Sequence, residues 1–152
     1  MSKREIYEAK VEALVLPIVE ANNFELVDAL SVKDAKKVYA IIEYFRNNPK
    51  NNPTVLTVSA VFSYFADLMM TYFAKDKSEP ALMAEVGAKW EVQYKKFRNG
   101  MRNYNAFQVI EIIAAIRDFD RKSKGIGSRQ NEYLLLKDLM FHILTAPDHI
   151  NI

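Results

Sequence analysis

Apolar residues recur every three or four positions along most of this chain, the spacing of helices that pack on one face. In SVKDAKKVYAIIEYFRN, residues 31 to 47, Val38, Ile41, Ile42 and Phe45 fall on one side, and Ser31 or Asp34 is placed to cap the start. In KWEVQYKKFRNGMRNY, residues 89 to 104, Tyr94, Phe97, Met101 and Tyr104 make an apolar stripe while Glu91, Lys95, Arg98 and Arg102 make a charged one. That pattern predicts a core face backed by a solvated basic face, with Glu91 four residues before Lys95 as a helix ion pair. In NAFQVIEIIAAIRDFDRKSK, Asn105 is the expected cap; Val109, Ile112, Ile113, Ile116 and Phe119 face inward, and Gln108, Glu111, Ala115, Asp118 and Lys122 outward. The final apolar segment offers Leu134, Leu135, Leu139, Phe141 and Ile143 to the core.

Punctuation between these segments fits the same picture. Lys3 to Ala21 reads as a helix that Pro17 kinks or ends, and NNFELVDAL as a short helix. NNPKNNP, residues 47 to 53, is a loop by composition, KDKSEP is a turn that puts Pro80 at the start of a short helix, and Gly87 ends that helix. KGIGSR, residues 124 to 129, joins two helices: Gly125 suits a left-handed C-terminal cap, Gly127 lets the chain turn and Ser128 caps the next helix. It matches neither the Walker spacing nor the dinucleotide loop, and a helix rather than a strand precedes it. No run alternates with period two. The expected architecture is all-α, a bundle of six to eight helices, with residues 1–21 as an N-terminal helical segment, 22–146 as the domain and 147–152 as a poorly ordered tail.

The stretch TVLTVSAVFSYFADLMMTYFA, residues 54 to 74, is long enough to span a bilayer, and Asp67 is its only charge. Ser59, Ser63, Asp67 and Thr71 succeed one another at spacings of four, a narrow polar stripe, and a carboxylate at a bilayer centre costs about 2.5 kcal/mol or more. A soluble central helix, apolar around most of its circumference, is the expectation. Phe62, Tyr64, Phe65, Met69, Tyr72 and Phe73 exceed what one helix face can bury. Together with Leu136 and Met140 of the last segment they are the candidate partner surface, and the isolated chain is expected to self-associate through it.

Charge and composition narrow the chemistry. A chain of 152 residues, half apolar, suits one domain with one core, and its net charge of +2 produces no global field toward nucleic acid or membrane. It has no cysteine, and the charged start MSKREIYEAK lacks an apolar signal core, so a cytoplasmic protein is expected. Asp118 and Asp120 sit on one helix rim, and His142 and His149 lack metal-site spacing. There is no G-x-S-x-G. No catalytic residue, cofactor site or metal site is expected, and no enzyme. Lys95, Arg98 and Arg102 are the candidate contacts of an alternative reading, a small helical nucleic-acid-binding protein.

From NNFELVDALSVKDAKKVYAIIEYFRNNPKNNPTVLTVSAVFSYFADLM to DRKSKGIGSRQNEYLLLKDLMFHIL, the chain resembles the C-terminal region of the delta subunit of bacterial DNA polymerase III, of the Bacteroidetes type. The carriers are Phe24 and Leu26, the Asp34 to Phe45 segment, and Asp120 preceding Lys124 and Gly125 before a leucine-rich last helix, over roughly residues 22 to 146. The resemblance implies a helical collar domain that packs against the other clamp-loader subunits, touches DNA only indirectly, and neither binds ATP nor opens the sliding clamp by itself. KVEALVLPIVEANNFELVD also resembles the opening of the bacterial ribosome maturation factor, a match that stops at Asp28 and gives the nucleic-acid alternative a ribosomal setting.

Overall fold

The computed structural model describes residues 2–6, 21–124 and 129–148. Residues 3–6 are helical, and seven further helices occur among the described residues: α1 (Asn23–Ser31), α2 (Ala35–Asn47), α3 (Thr54–Phe73), α4 (Glu79–Glu85), α5 (Glu91–Asn103), α6 (Ala106–Lys124) and α7 (Arg129–Leu144). No described residue is in a strand, so the architecture is an all-α bundle as the periodicities require. Pro17, Gly125, Gly127, Ser128 and His149 lie outside the described residues.

Helix starts are set by side chains that satisfy the orphan N–H groups of a first turn. Asn22 accepts from the Glu25 N–H at 2.8 Å and Asp34 from the Lys37 N–H at 3.1 Å. At α6, Asn105 accepts from the Gln108 N–H at 2.8 Å while the Gln108 side chain accepts from the Asn105 N–H at 2.9 Å, a reciprocal capping box. Helix α4 is followed by Gly87 at φ +71°, a left-handed conformation that costs glycine nothing.

Helix α3 is the centre of the bundle and contacts α1, α4, α5, α6 and α7. Its buried side is Thr54, Thr57, Val61, Tyr64, Phe65, Leu68 and Thr71, a three-and-four spacing in which threonines fill positions that an apolar pattern alone does not mark. Helix α6 runs antiparallel to α3, since residues 54–62 of α3 share a groove with 116–123 of α6 while Tyr72, near the end of α3, donates to the carbonyl of Tyr104 just before α6. Helix α7 closes the other side of α6 and also packs on α2.

The expected core of α2 and the apolar set of α6 are all buried. Gln108, expected outward, is buried instead: its amide donates to the Ala146 carbonyl at 2.9 Å, so the capping residue also holds the chain that leaves α7. Asn105 donates to the Asp148 carbonyl at 2.7 Å. Up to Asp148 the tail is therefore anchored against the start of α6, contrary to the expected disorder of residues 147–152; the residues beyond lie outside the described set.

Gly100 marks the crossing of α3 and α5. A Cβ there would collide with the Tyr64 hydroxyl and crowd Leu68 Cδ2 at 3.1 Å. The Tyr64 hydroxyl lies there because it donates to the Lys96 carbonyl at 2.7 Å. Gly100→Ala gains about 1 kcal/mol of helix propensity, but displacing a locked aromatic costs about 1–3 kcal/mol in overpacking and about 1 kcal/mol for the lost hydrogen bond. The steric effect wins: a net loss of about 1–3 kcal/mol is expected in urea unfolding, and an unchanged midpoint would refute the close crossing.

Burial pushes the phenols of Tyr64, Tyr72 and Tyr104 up, that of Tyr72 to about 12. Each is raised above its unfolded value, so the folded state holds these protons more tightly. Each contribution is intact below the ordinary tyrosine value of 10.0 and is lost as pH rises from there through the folded value, about 12 for Tyr72 and higher for Tyr64 and Tyr104. Denaturant midpoints should fall across that window, and by less in Tyr72→Phe.

Candidate interaction surface

The eight apolar residues expected to meet a partner divide sharply in the structure. Tyr64, Phe65, Leu136 and Met140 belong to the core, with Phe65, Leu136 and Met140 fully buried, and so do not line an outer face. Met69 and Tyr72 are half-buried against that core. Phe62 and Phe73 remain exposed, at 39% and 68%.

The error at Leu136 and Met140 has a physical cause. Helix α7 buries Tyr133, Leu136, Leu139, Met140 and Ile143, whereas Leu134 and Phe141, expected inside, face out. Apolar residues surround the helix over 134–141, so periodicity cannot select the buried side.

Along one side α3 presents outward Val55 at 71%, Phe62, Met70 at 50% and Phe73, with Ser59 between them; Leu56, also exposed, lies off this line. These positions lie opposite the Val61, Leu68 and Tyr64 side, where the helix is fixed by packing. The antiparallel α6 adds Ile110, 48% exposed, toward the Phe73 end. No charged side chain of α3 interrupts the strip. Asp67, the helix's one charge, is half-buried elsewhere, where desolvation raises its pKa and Lys96 partly opposes the shift.

Between the first half of α3 and the second half of α6 the strip deepens into a groove of about 380 Å³. Val55, Val58, Phe62, Ile116 and Phe119 form its apolar lining, and Arg117 and Glu132 stand at its rim. A second groove of about 460 Å³, reaching the 49–53 loop, shares Thr54, Val55 and Glu132 with it.

The basic stripe looks different in three dimensions. Arg98 is drawn between two carboxylates, Glu79 on α4 and Glu91 at 2.6 Å, which hold its guanidinium charged. Glu91 thus pairs with Arg98 two turns on, not with Lys95. Lys95 and Arg102 are exposed. Lys95 and Lys96 share a polar groove with Lys37, Asp28 and Asp34, so the groove carries both signs of charge. Among the described residues no three His, Asp or Glu side chains come together to hold an ion. Helix α3 is the one described helix long and apolar enough to cross a membrane.

Neither a family model nor a solved structure matches the chain.

The division between core and outer face has a direct measure. Leu136→Ala or Met140→Ala should cost about 2–5 kcal/mol each by cavity formation. Phe73→Ser should stay within about 0.5 kcal/mol, because a surface substitution opens no cavity. Similar urea midpoints for all three variants would overturn the assignment.

Proposed function

We propose that the chain is a non-catalytic helical assembly module of the clamp-loader collar type, helping to hold together the complex that loads the sliding clamp in DNA replication. One observation carries the assembly part: the uncharged apolar face Val55, Phe62, Met70 and Phe73 on the helix that organises the bundle, extended by Ile110. Apolar area of this kind on a rigid element is what a protein interface buries at its centre. The clamp-loader part is supported by the resemblance over residues 22 to 146; of its carriers, Phe24 and Leu26 fall on α1, and Asp120 and Lys124 on α6. Arg98 held by two carboxylates disfavours the nucleic-acid alternative, since one of its three contacts is already neutralised.

Co-expression with the ATPase subunits of a Bacteroidetes clamp loader tests both parts. The expected result is co-purification that Phe62→Asp together with Phe73→Asp abolishes, while circular dichroism of the variant stays helical. Without partners, the wild-type chain should sediment as a concentration-dependent oligomer and the double variant as a monomer. Co-purification insensitive to the double substitution would overturn the surface, and no co-purification would overturn the clamp-loader assignment.

A further inference from the structure

The groove between α3 and α6 has polarity as well as shape. Glu132 lies at the Val55 end and Arg117 toward the Phe62 end, and among the described residues neither has an ion-pair partner. Asp120, the other charge on the rim, is occupied by Lys124 at 2.9 Å. From Val55 to Phe62 the groove runs seven residue steps along α3, about 10 Å or two helical turns.

We propose that this groove takes an amphipathic helix of a protein partner. A ridge of bulky apolar side chains at i, i+3 or i+4 and i+7 would fill it, with one basic residue on the flank against Glu132 and one acidic residue about two turns away against Arg117. The inference rests on the assembly reading and adds the partner's chemistry. A helix is the matching element because the walls are two helices, whose side-chain ridges receive another ridge and offer no free strand edge. Charge complementarity sets the flank: a groove with two charges of opposite sign, neither ion-paired among the described residues, disfavours a partner bearing like charges at both places.

The test uses labelled helical peptides with leucines at i, i+3, i+7 and i+10 and two flank positions seven residues apart, occupied by Lys and Glu, by two Lys, or by two Glu. Fluorescence anisotropy reads their affinity for the whole chain and for Arg117→Glu and Glu132→Lys, each checked for unchanged circular dichroism. The wild type is expected to prefer the Lys and Glu peptide by about three- to tenfold over the other two, as two partly exposed ion pairs allow. Arg117→Glu should shift the preference to the two-Lys peptide and Glu132→Lys to the two-Glu peptide, with all preferences shrinking at high salt. A preference that does not track the charge reversals, or no binding by any peptide, overturns the proposal. The assembly reading would then still stand if Phe62→Asp with Phe73→Asp abolishes co-purification, and would fail separately if it does not.

Discussion

Tyrosine hydroxyls that must find an acceptor inside the core tie this bundle together. Tyr104, 1% exposed at the junction of α5 and α6, donates to the Leu30 carbonyl at 2.6 Å in the last turn of α1, where helix carbonyls lack intrahelical partners. Its ring meets Phe65 of α3 edge-on at 5.2 Å, and its own carbonyl accepts the hydroxyl of Tyr72. Tyr64 repeats the arrangement between α3 and α5, and Tyr133 donates to the Asn52 carbonyl at 3.1 Å in the loop before α3. Each ring supplies apolar area, and each hydroxyl accepts only a narrow range of positions. Sliding α3 by one turn would leave Tyr64 and Tyr72 unsatisfied in the core, at about 1–3 kcal/mol each.

Rotation of α3 is fixed by the same bonds, and they determine the outer surface too. With Tyr64, Phe65 and Leu68 held inward, Val55, Phe62 and Phe73 have to point away, because residues seven and eleven apart return to nearly the same side of a helix. The exposed apolar strip is therefore a rigid feature set by the core. A face that is already ordered loses less conformational entropy on association than a loop does.

For the described helices from α1 to α6, positions and boundaries were legible in the sequence because caps and three-and-four spacing agree: Asp34, Asn105 and Gly87 all act where the pattern puts them. Side selection was legible only where the pattern has contrast. In α2 polar residues separate Val38, Ile41, Ile42 and Phe45 from the solvent side, and all four are buried. In α7 and α3 apolar residues occur all round, and the expected partner surface mixed core with exterior. The supposed polar stripe Ser59, Ser63, Asp67 and Thr71 fails for a related reason. A spacing of four drifts about 40° per step on a 3.6-residue helix, so Ser59 is exposed and Thr71, three steps on, is buried. Gly100 and the inward turn of Gln108 depend on contacts distant in sequence, the latter reaching Ala146, and no local pattern carries them.

The size of the exposed strip bears on what kind of assembly it can support. Fully burying a large apolar side chain contributes about 1.5–3 kcal/mol, and Val55, Phe62, Met70, Phe73 and Ile110 still expose between 39% and 71% of their surface. About 1 kcal/mol remains for each, roughly 5 kcal/mol in all. Association costs about 4–15 kcal/mol in lost freedom before any contact gain appears. A pair of molecules joined by this strip alone would therefore be weak and concentration-dependent. In a closed ring each subunit touches two neighbours, and once one contact is made the second forms at high effective concentration, so modest faces suffice. Under the collar reading that is the physical sense of an apolar face too small for a tight dimer on a helix too rigid to hide it.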